Sequence, residues 1–169
     1  MKFIGITGTN GKTTVTYLIS TILKEAGYKT FISGTLNNRL TTPSPWDLQN
    51  LIQKARNQKT DFFVMEVSSH GIHQDRIKGI LFYAKLLTNI TQDHLDYHKT
   101  YERYVAAKTK LLQRAKTALV NRDDESYELV MSILKKHRVI RYGLKNPTAT
   151  ELNPGTFPFS TTLLGEFNR

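Results

Sequence analysis

Gly8, Thr9, Asn10, Gly11, Lys12, Thr13 and Thr14 set glycine, lysine and hydroxyl residues at the spacing that phosphate binding uses, directly after the apolar run Lys2 to Thr7. Glycines let backbone N–H groups turn inward around phosphate oxygens, and a helix starting at this point would add its partial positive charge. Lys12 supplies a point charge, and the Thr13 hydroxyl can ligate Mg²⁺. The usual spacing of such a loop puts a glycine where Ile6 stands, so this is a variant of it.

Three further places carry residues with chemical potential. Glu66 closes the apolar run Phe62 to Met65, and in an open α/β sheet a carboxylate at the carboxyl end of a strand can hold Mg²⁺ beside a bound nucleotide. Thr91 to His98 follows another apolar run and should reach the same edge. His94 and His98 lack both a nearby thiol and the helical His-Glu-x-x-His pattern, which argues against zinc. Lys108 falls on the helical stripe Tyr101, Tyr104, Lys108, Leu111 and Ala115, which should face inward. It is either a snorkelling lysine with a packed stem or a desolvated amine of lowered pKa, able to act as a nucleophile.

The elements that must position these residues can be read from periodicity. Strands are expected at Lys2 to Thr7, Tyr28 to Ser33, Asp61 to Val67, Ala84 to Thr88, Thr117 to Asn121 and Arg138 to Tyr142. Helices are expected after Gly11, where Val15, Leu18, Ile19, Ile22 and Leu23 recur and Gly27 supplies a stop, and over Pro45 to Asn57, Thr100 to Ala115 and Asp124 to Lys136. This alternation predicts an α/β fold: a phosphate-loop type of mostly parallel sheet with helices on both faces, followed by a short β-like segment near Phe157 to Leu164. The 169 residues, 39% hydrophobic, suffice for a single domain.

Composition narrows the function classes. With no cysteine, the chain has no disulfide framework or thiol nucleophile and suits a reducing cytoplasm. No stretch approaches the roughly 18 apolar residues of a membrane span, so a soluble protein is expected. The net charge of +10 suits nucleic acid, an acidic membrane or phosphate-rich small molecules alike. No nucleic-acid recognition motif or stacking platform accompanies it, which argues against that partner.

Taken together, GITGTNGKTT, LTTPSPWDLQ, EVSSHGIHQDRI, LTNITQDHLDYHKTYERYVAAKTKLL and the terminal LLGEFNR resemble the Mur ligases, in order and spacing along nearly the whole chain. The match is to their central, ATP-binding domain, most closely in the members that form the UDP-N-acetylmuramoyl-tripeptide. The resemblance implies that Gly8 to Thr14 bind ATP, that Asn168 lies near the adenine, and that Thr13, Glu66 and His94 hold magnesium. Lys108 matches the family lysine that CO₂ carbamylates into an anionic magnesium ligand, and Lys12, His94 and Lys108 form the implied catalytic set. Thr41, Thr42, Ser68, Gln74 and Arg76 fall on positions that contact the UDP-muramoyl substrate. Leu40 departs from the family's asparagine just before the Thr-Thr-Pro.

The implied reaction is attack of a substrate carboxylate on the γ-phosphate of ATP, giving an acyl phosphate that the amine of an amino acid then displaces. The family's N-terminal domain, which grips the uridine end, and its C-terminal domain, which carries the amino acid, are missing from these 169 residues. Alternatives are a folylpolyglutamate or poly-amino-acid ligase core, and a nucleotide-binding module without ligase activity. The SSHGIHQDR segment favours the muramoyl substrate.

Overall fold

The computed structural model describes residues 1–91, 100–113, 116–134 and 138–143. Its apolar runs form β1 (Lys2–Thr7), β2 (Thr30–Ser33), β3 (Phe62–Glu66), β4 (Phe82–Leu87), β5 (Thr117–Asn121) and β6 (Val139–Tyr142). They make a six-stranded sheet in the order β2-β3-β1-β4-β5-β6. Every pairing is parallel, so the strands end together at one edge.

Successive side chains of a strand point to opposite faces, and each face is covered by helices. Ile4, Ile6, Phe62 and Val64 pack under Val15, Ile19 and Leu23 of α1 (Lys12–Glu25). The alternate residues Phe63 and Met65 meet Leu48, Ile52 and Ala55 of α2 (Pro45–Asn57) and Leu111 of α4 (Tyr101–Leu112). The same side of α4 sends Tyr104, Val105 and Leu112 into a cluster with Leu87, Ala118 and Val120, closed by Val130 and Leu134 of α5 (Tyr127–Leu134). Fully burying side chains of this size contributes about 1.5–3 kcal/mol each, so these stripes set where the helices lie.

The helix starts are written locally. Ser44 accepts from the Asp47 amide at 3.2 Å with Pro45 in the first turn, and Thr100 accepts from the Arg103 amide at 3.2 Å. Strand β5 and helix α2 have the bounds expected from sequence. Strand β4 begins two residues earlier than expected, because a register shift opposite Phe3 and Ile4 brings Phe82 into the sheet. Its ring then packs over Gly5 and edge-on to Phe3, 6.4 Å between centroids. Strand β2 begins two residues later, since the Tyr28 amide still bonds to the Leu23 carbonyl in the exit of α1. The short helix α3 (Ser69–His73) was not expected. The β-like stretch near Phe157 to Leu164 lies outside the described residues.

Candidate active site

The loop between β1 and α1 is shaped from below by the segment that leaves β4. Thr88 Oγ1 donates to the Asn10 carbonyl at 2.7 Å, and Asn89 both donates to that carbonyl at 3.2 Å and accepts from the Asn10 amide at 2.9 Å. The Thr9 amide donates to the Asn89 carbonyl at 2.9 Å. Gly8, at φ +152°, lies so close to this segment that a Cβ would fall 1.8 Å from Thr88 Oγ1. The supporting segment is itself held throughout. Leu87 O accepts from Tyr142 Oη (2.8 Å), Thr88 O from Asn121 Nδ2 (3.0 Å) and Ile90 O from Tyr101 Oη (3.0 Å), while the Asp124 carboxylate takes the Ile90 amide at 3.2 Å. Burial, with the Asp124 charge behind it, raises the pKa of both Tyr101 and Tyr142 above the ordinary tyrosine value.

At the start of α1 the helix's own residues supply neither a cap nor an acid to its positive end. Gly11 is the N-cap and offers no side-chain cap, and the first turn has no acidic residue. By contrast, α2 and α4 have a side-chain cap and an acid, Asp47 and Glu102, in the first turn. The leading amides of α1 have no intrahelical acceptor, so the Lys12, Thr13 and Thr14 end is suited to an anion. Lys12 Nζ stays with the loop, donating to the carbonyls of Gly8 (3.0 Å) and Thr9 (2.8 Å).

Glu66, at the carboxyl end of β3, is wholly buried beside this helix start. Its carboxylate accepts from Thr13 Oγ1 (3.0 Å), the Thr35 amide (3.0 Å) and Thr35 Oγ1 (3.1 Å). Gly34 makes room for it, since a Cβ there would come within 2.1 Å of Glu66 Oε1. Thr35 and Gly34 had no role in the sequence reading.

Lys108 reaches the same loop from α4. It is 2% exposed, its Nζ donates to the Gly8 carbonyl at 2.8 Å, and the amine lies 4.6 Å from the Tyr104 ring centroid. Tyr104 Oη is 3.2 Å from Thr9 Oγ1, which ties helix and loop a second time. The snorkelling alternative is therefore excluded: the amine, and not the stem alone, is inside.

The residues matched to substrate contact gather on the other side of Glu66. Thr42 Oγ1 accepts from the Ser68 amide at 2.8 Å and lies 3.1 Å from Ser68 Oγ. Thr41 Oγ1 is 3.1 Å from Thr35 Oγ1. Arg76 donates through Nη1 to the Thr42 carbonyl at 2.8 Å and through Nε to Gln74 Oε1 at 2.9 Å. A concavity of about 830 Å³ adjoins this cluster, lined in part by Leu40, Pro43, Asp47 and Leu51, so the departure at Leu40 faces open space. His94 and Asn168 lie outside the described residues.

These features define a class: a parallel α/β domain with a glycine-containing loop at the first strand-to-helix turn, a buried carboxylate at the neighbouring strand end and a buried lysine closing on the loop. Residues 6–168 match the Mur ligase middle domain, and the chain belongs to that family. It is 44% identical over 153 residues to UDP-N-acetylmuramoyl-L-alanyl-D-glutamate–2,6-diaminopimelate ligase 1 of Clostridium acetobutylicum, covering 85% of this chain and 32% of that protein. The corresponding ligase of Synechococcus elongatus is 38% identical over 197 residues, covering 99% and 39%. A solved structure of a UDP-N-acetylmuramoyl-L-alanyl-D-glutamate–2,6-diaminopimelate ligase superposes with a TM-score of 0.78 at 33% identity, covering 88% of this chain and 33% of that one. The fold extends to E. coli FolC, solved in complex with DHPP and ADP, at TM-score 0.61, 18% identity, and 83% and 42% coverage. The chain thus spans about a third of the length of the curated relatives it matches.

Proposed function

We propose that the chain is the ATP-binding middle domain of an ATP-dependent amide ligase that adds an amino acid to a UDP-N-acetylmuramoyl-peptide during cell-wall precursor synthesis in the cytoplasm. One observation carries the reading: the uncapped start of α1, the Thr13–Glu66 pair and the buried Lys108 amine converge on one loop. Two relatives, 44% and 42% identical, are named as UDP-N-acetylmuramoyl-L-alanyl-D-glutamate–2,6-diaminopimelate ligases.

In this reading the amides from Gly8 to Thr14 cradle the phosphates of ATP. Lys12 exchanges its loop carbonyls for phosphate oxygens and stabilises the charge that develops during transfer. Thr41, Thr42, Ser68, Gln74 and Arg76 orient the muramoyl-peptide so that its carboxylate meets the γ-phosphate in line. Carboxylate oxygen attacks phosphorus and ADP leaves with the bond's electron pair. The amine of the amino acid then attacks the acyl carbon of the resulting acyl phosphate, and phosphate leaves.

The donors at Thr13 and Glu66 are oxygen atoms 3.0 Å apart, the ligand type that a hard divalent cation takes, so these residues fit Mg²⁺. When bound there, the ion supplies Lewis-acid neutralisation of the phosphate oxygens. Lys108 as an amine does not fit as a ligand, because an ammonium donates and its place over the Tyr104 ring suits a cation. Carbamylation by CO₂ would convert it to an anion with oxygen donors and leave one N–H on Nζ to donate to the Gly8 carbonyl.

The test is a coupled assay on the full-length enzyme that carries this chain, supplied with ATP, Mg²⁺, UDP-N-acetylmuramoyl-dipeptide and an amino acid. Release of phosphate that requires both co-substrates is the expected result. Turnover with a folate substrate instead would move the chain to the polyglutamate ligases. ATP binding with neither product would leave a nucleotide-binding module.

A further inference from the structure

Lys85 is a buried lysine, 4% exposed, that the ligase chemistry does not use. It stands in the middle of β4, opposite Gly5 of β1 and Ala118 of β5, where a parallel sheet covered by helices ordinarily has an apolar residue. Lysines are rarely buried so completely, since desolvating an ammonium is costly unless it is well partnered. Lys85 Nζ donates to the Leu111 carbonyl in the last turn of α4 and lies 4.8 Å from the Phe82 ring. The last carbonyls of a helix have no intrahelical partner and form its negative end, so a cation there both bonds one of them and offsets the dipole.

What this fastening governs is plain from the next turn of the helix. Lys108 lies three residues before Leu111 on the same buried side of α4, and its amine meets the Gly8 carbonyl at 2.8 Å. The strand that bears Lys85 runs on into Thr88 and Asn89, which hold Asn10. One strand therefore grips the loop with its carboxyl end and the helix facing the loop with Lys85. An apolar side chain would fill the space without holding the helix along its axis.

We infer that Lys85 is a positioning residue: by binding the C-terminal turn of α4 to the central sheet it sets the reach of Lys108 toward the phosphate loop. Its kinetic test rests on the proposed ligase reading, whereas its structural test does not. In the full-length enzyme, Lys85→Met lowers kcat by roughly ten- to a hundredfold, the scale of an ångström-level misplacement. The KM for ATP, set by the loop amides, stays near that of the parent, and Lys85→Arg recovers most of kcat. In a Lys108→Ala background, followed at high enzyme concentration, Lys85→Met has no further effect, because the two act as one unit. Unchanged kcat in Lys85→Met, or an equal loss with and without Lys108, overturns the inference.

Hydrogen exchange of the Tyr101–Leu112 amides gives the answer without turnover. Lys85→Met speeds exchange back to the Lys108 turn and Lys85→Arg restores protection, whereas unchanged protection in Lys85→Met also overturns the inference. Should Lys85→Met not fold, Lys85→Gln, a neutral donor of shorter reach, is carried through the same measurements with the same expected and overturning results. A parent enzyme that makes no muramoyl product refutes the ligase reading alone, and the exchange data then decide the role of Lys85.

Discussion

Replacing Glu66 separates what the buried carboxylate does for the fold from what it does for a ligand. Glu66→Ala removes the acceptor of three hydrogen bonds, from Thr13 Oγ1, the Thr35 amide and Thr35 Oγ1. The hydroxyls can turn to other acceptors, but the Thr35 amide, whose bond to the carboxylate is part-buried, loses a charged acceptor at a cost of about 1–3 kcal/mol. The carboxylate also fills the space against Gly34, and the void left there adds roughly 1–2 kcal/mol. The sum, about 2–5 kcal/mol, is a large part of the stability of an ordinary domain and should appear as a lower urea midpoint with an unchanged slope. Glu66→Gln keeps the volume and one acceptor oxygen and should cost only about 1–2 kcal/mol. For the nucleotide the two variants should behave alike, because both lack the charge that would hold Mg²⁺. Calorimetric titration of ATP should therefore show a Mg²⁺-dependent gain in affinity in the parent and little in either variant. A Glu66→Ala protein as stable as the parent would refute the structural argument, and Glu66→Gln with the parent's full Mg²⁺ dependence would refute the metal assignment.

Other substitutions probe the support of the loop and the sheet edge. Gly8→Ala places a methyl against Thr88 Oγ1, so it should weaken ATP binding at least tenfold, read by calorimetry, while far-ultraviolet circular dichroism stays that of the parent. Asn89→Ala frees Asn10 from a two-way hydrogen-bonded pair and should cost about 1–3 kcal/mol in ATP affinity by the same measurement. Tyr142 has a raised pKa in the fold, chiefly through burial, so the stability it contributes is complete below its unfolded value of 10.0 and is lost as pH rises from there toward the folded value. Tyr142→Phe should remove its share of that alkaline loss in urea titrations above pH 10, while costing about 1 kcal/mol at neutral pH through the unpaired Leu87 carbonyl.

Much of the scaffold was legible because local chemistry and burial agree. Helix α2 opens on Ser44 and Pro45 and buries Leu48, Ile52 and Ala55 at helical steps, so its bounds follow from the chain itself. The stripe through Tyr104, Lys108 and Leu111 likewise announced an inward lysine, and the structure puts its amine inside. What stayed hidden depends on contacts distant in sequence. Thr88 and Asn89 look like the polar end of a strand until Asn10, nearly eighty residues away, is brought against them. Asn121 reads as the end of a strand and Asp124 as the start of a helix, yet they hold the backbone at Thr88 and Ile90. Thr35 gave no signal, because its value lies in the proximity of β2 to Glu66 across the sheet order. Lys85 was similarly silent: in a run of Ala, Leu and Leu a lysine marks an interruption, and only the end of α4 arriving above it explains its burial.

The central claim is that the loop from Gly8 to Thr14 binds the phosphates of ATP with Lys12 as their counter-charge. Equilibrium titration of Mg²⁺-ATP into the parent and into Lys12→Ala, under one buffer and one ionic strength, tests it most directly. Saturable binding by the parent at one site, weakened by a factor of roughly a hundred or more in Lys12→Ala, is the expected result for loss of a charge-assisted contact to phosphate. Equal affinity of the two proteins for ATP, or no saturable binding by the parent, would contradict it.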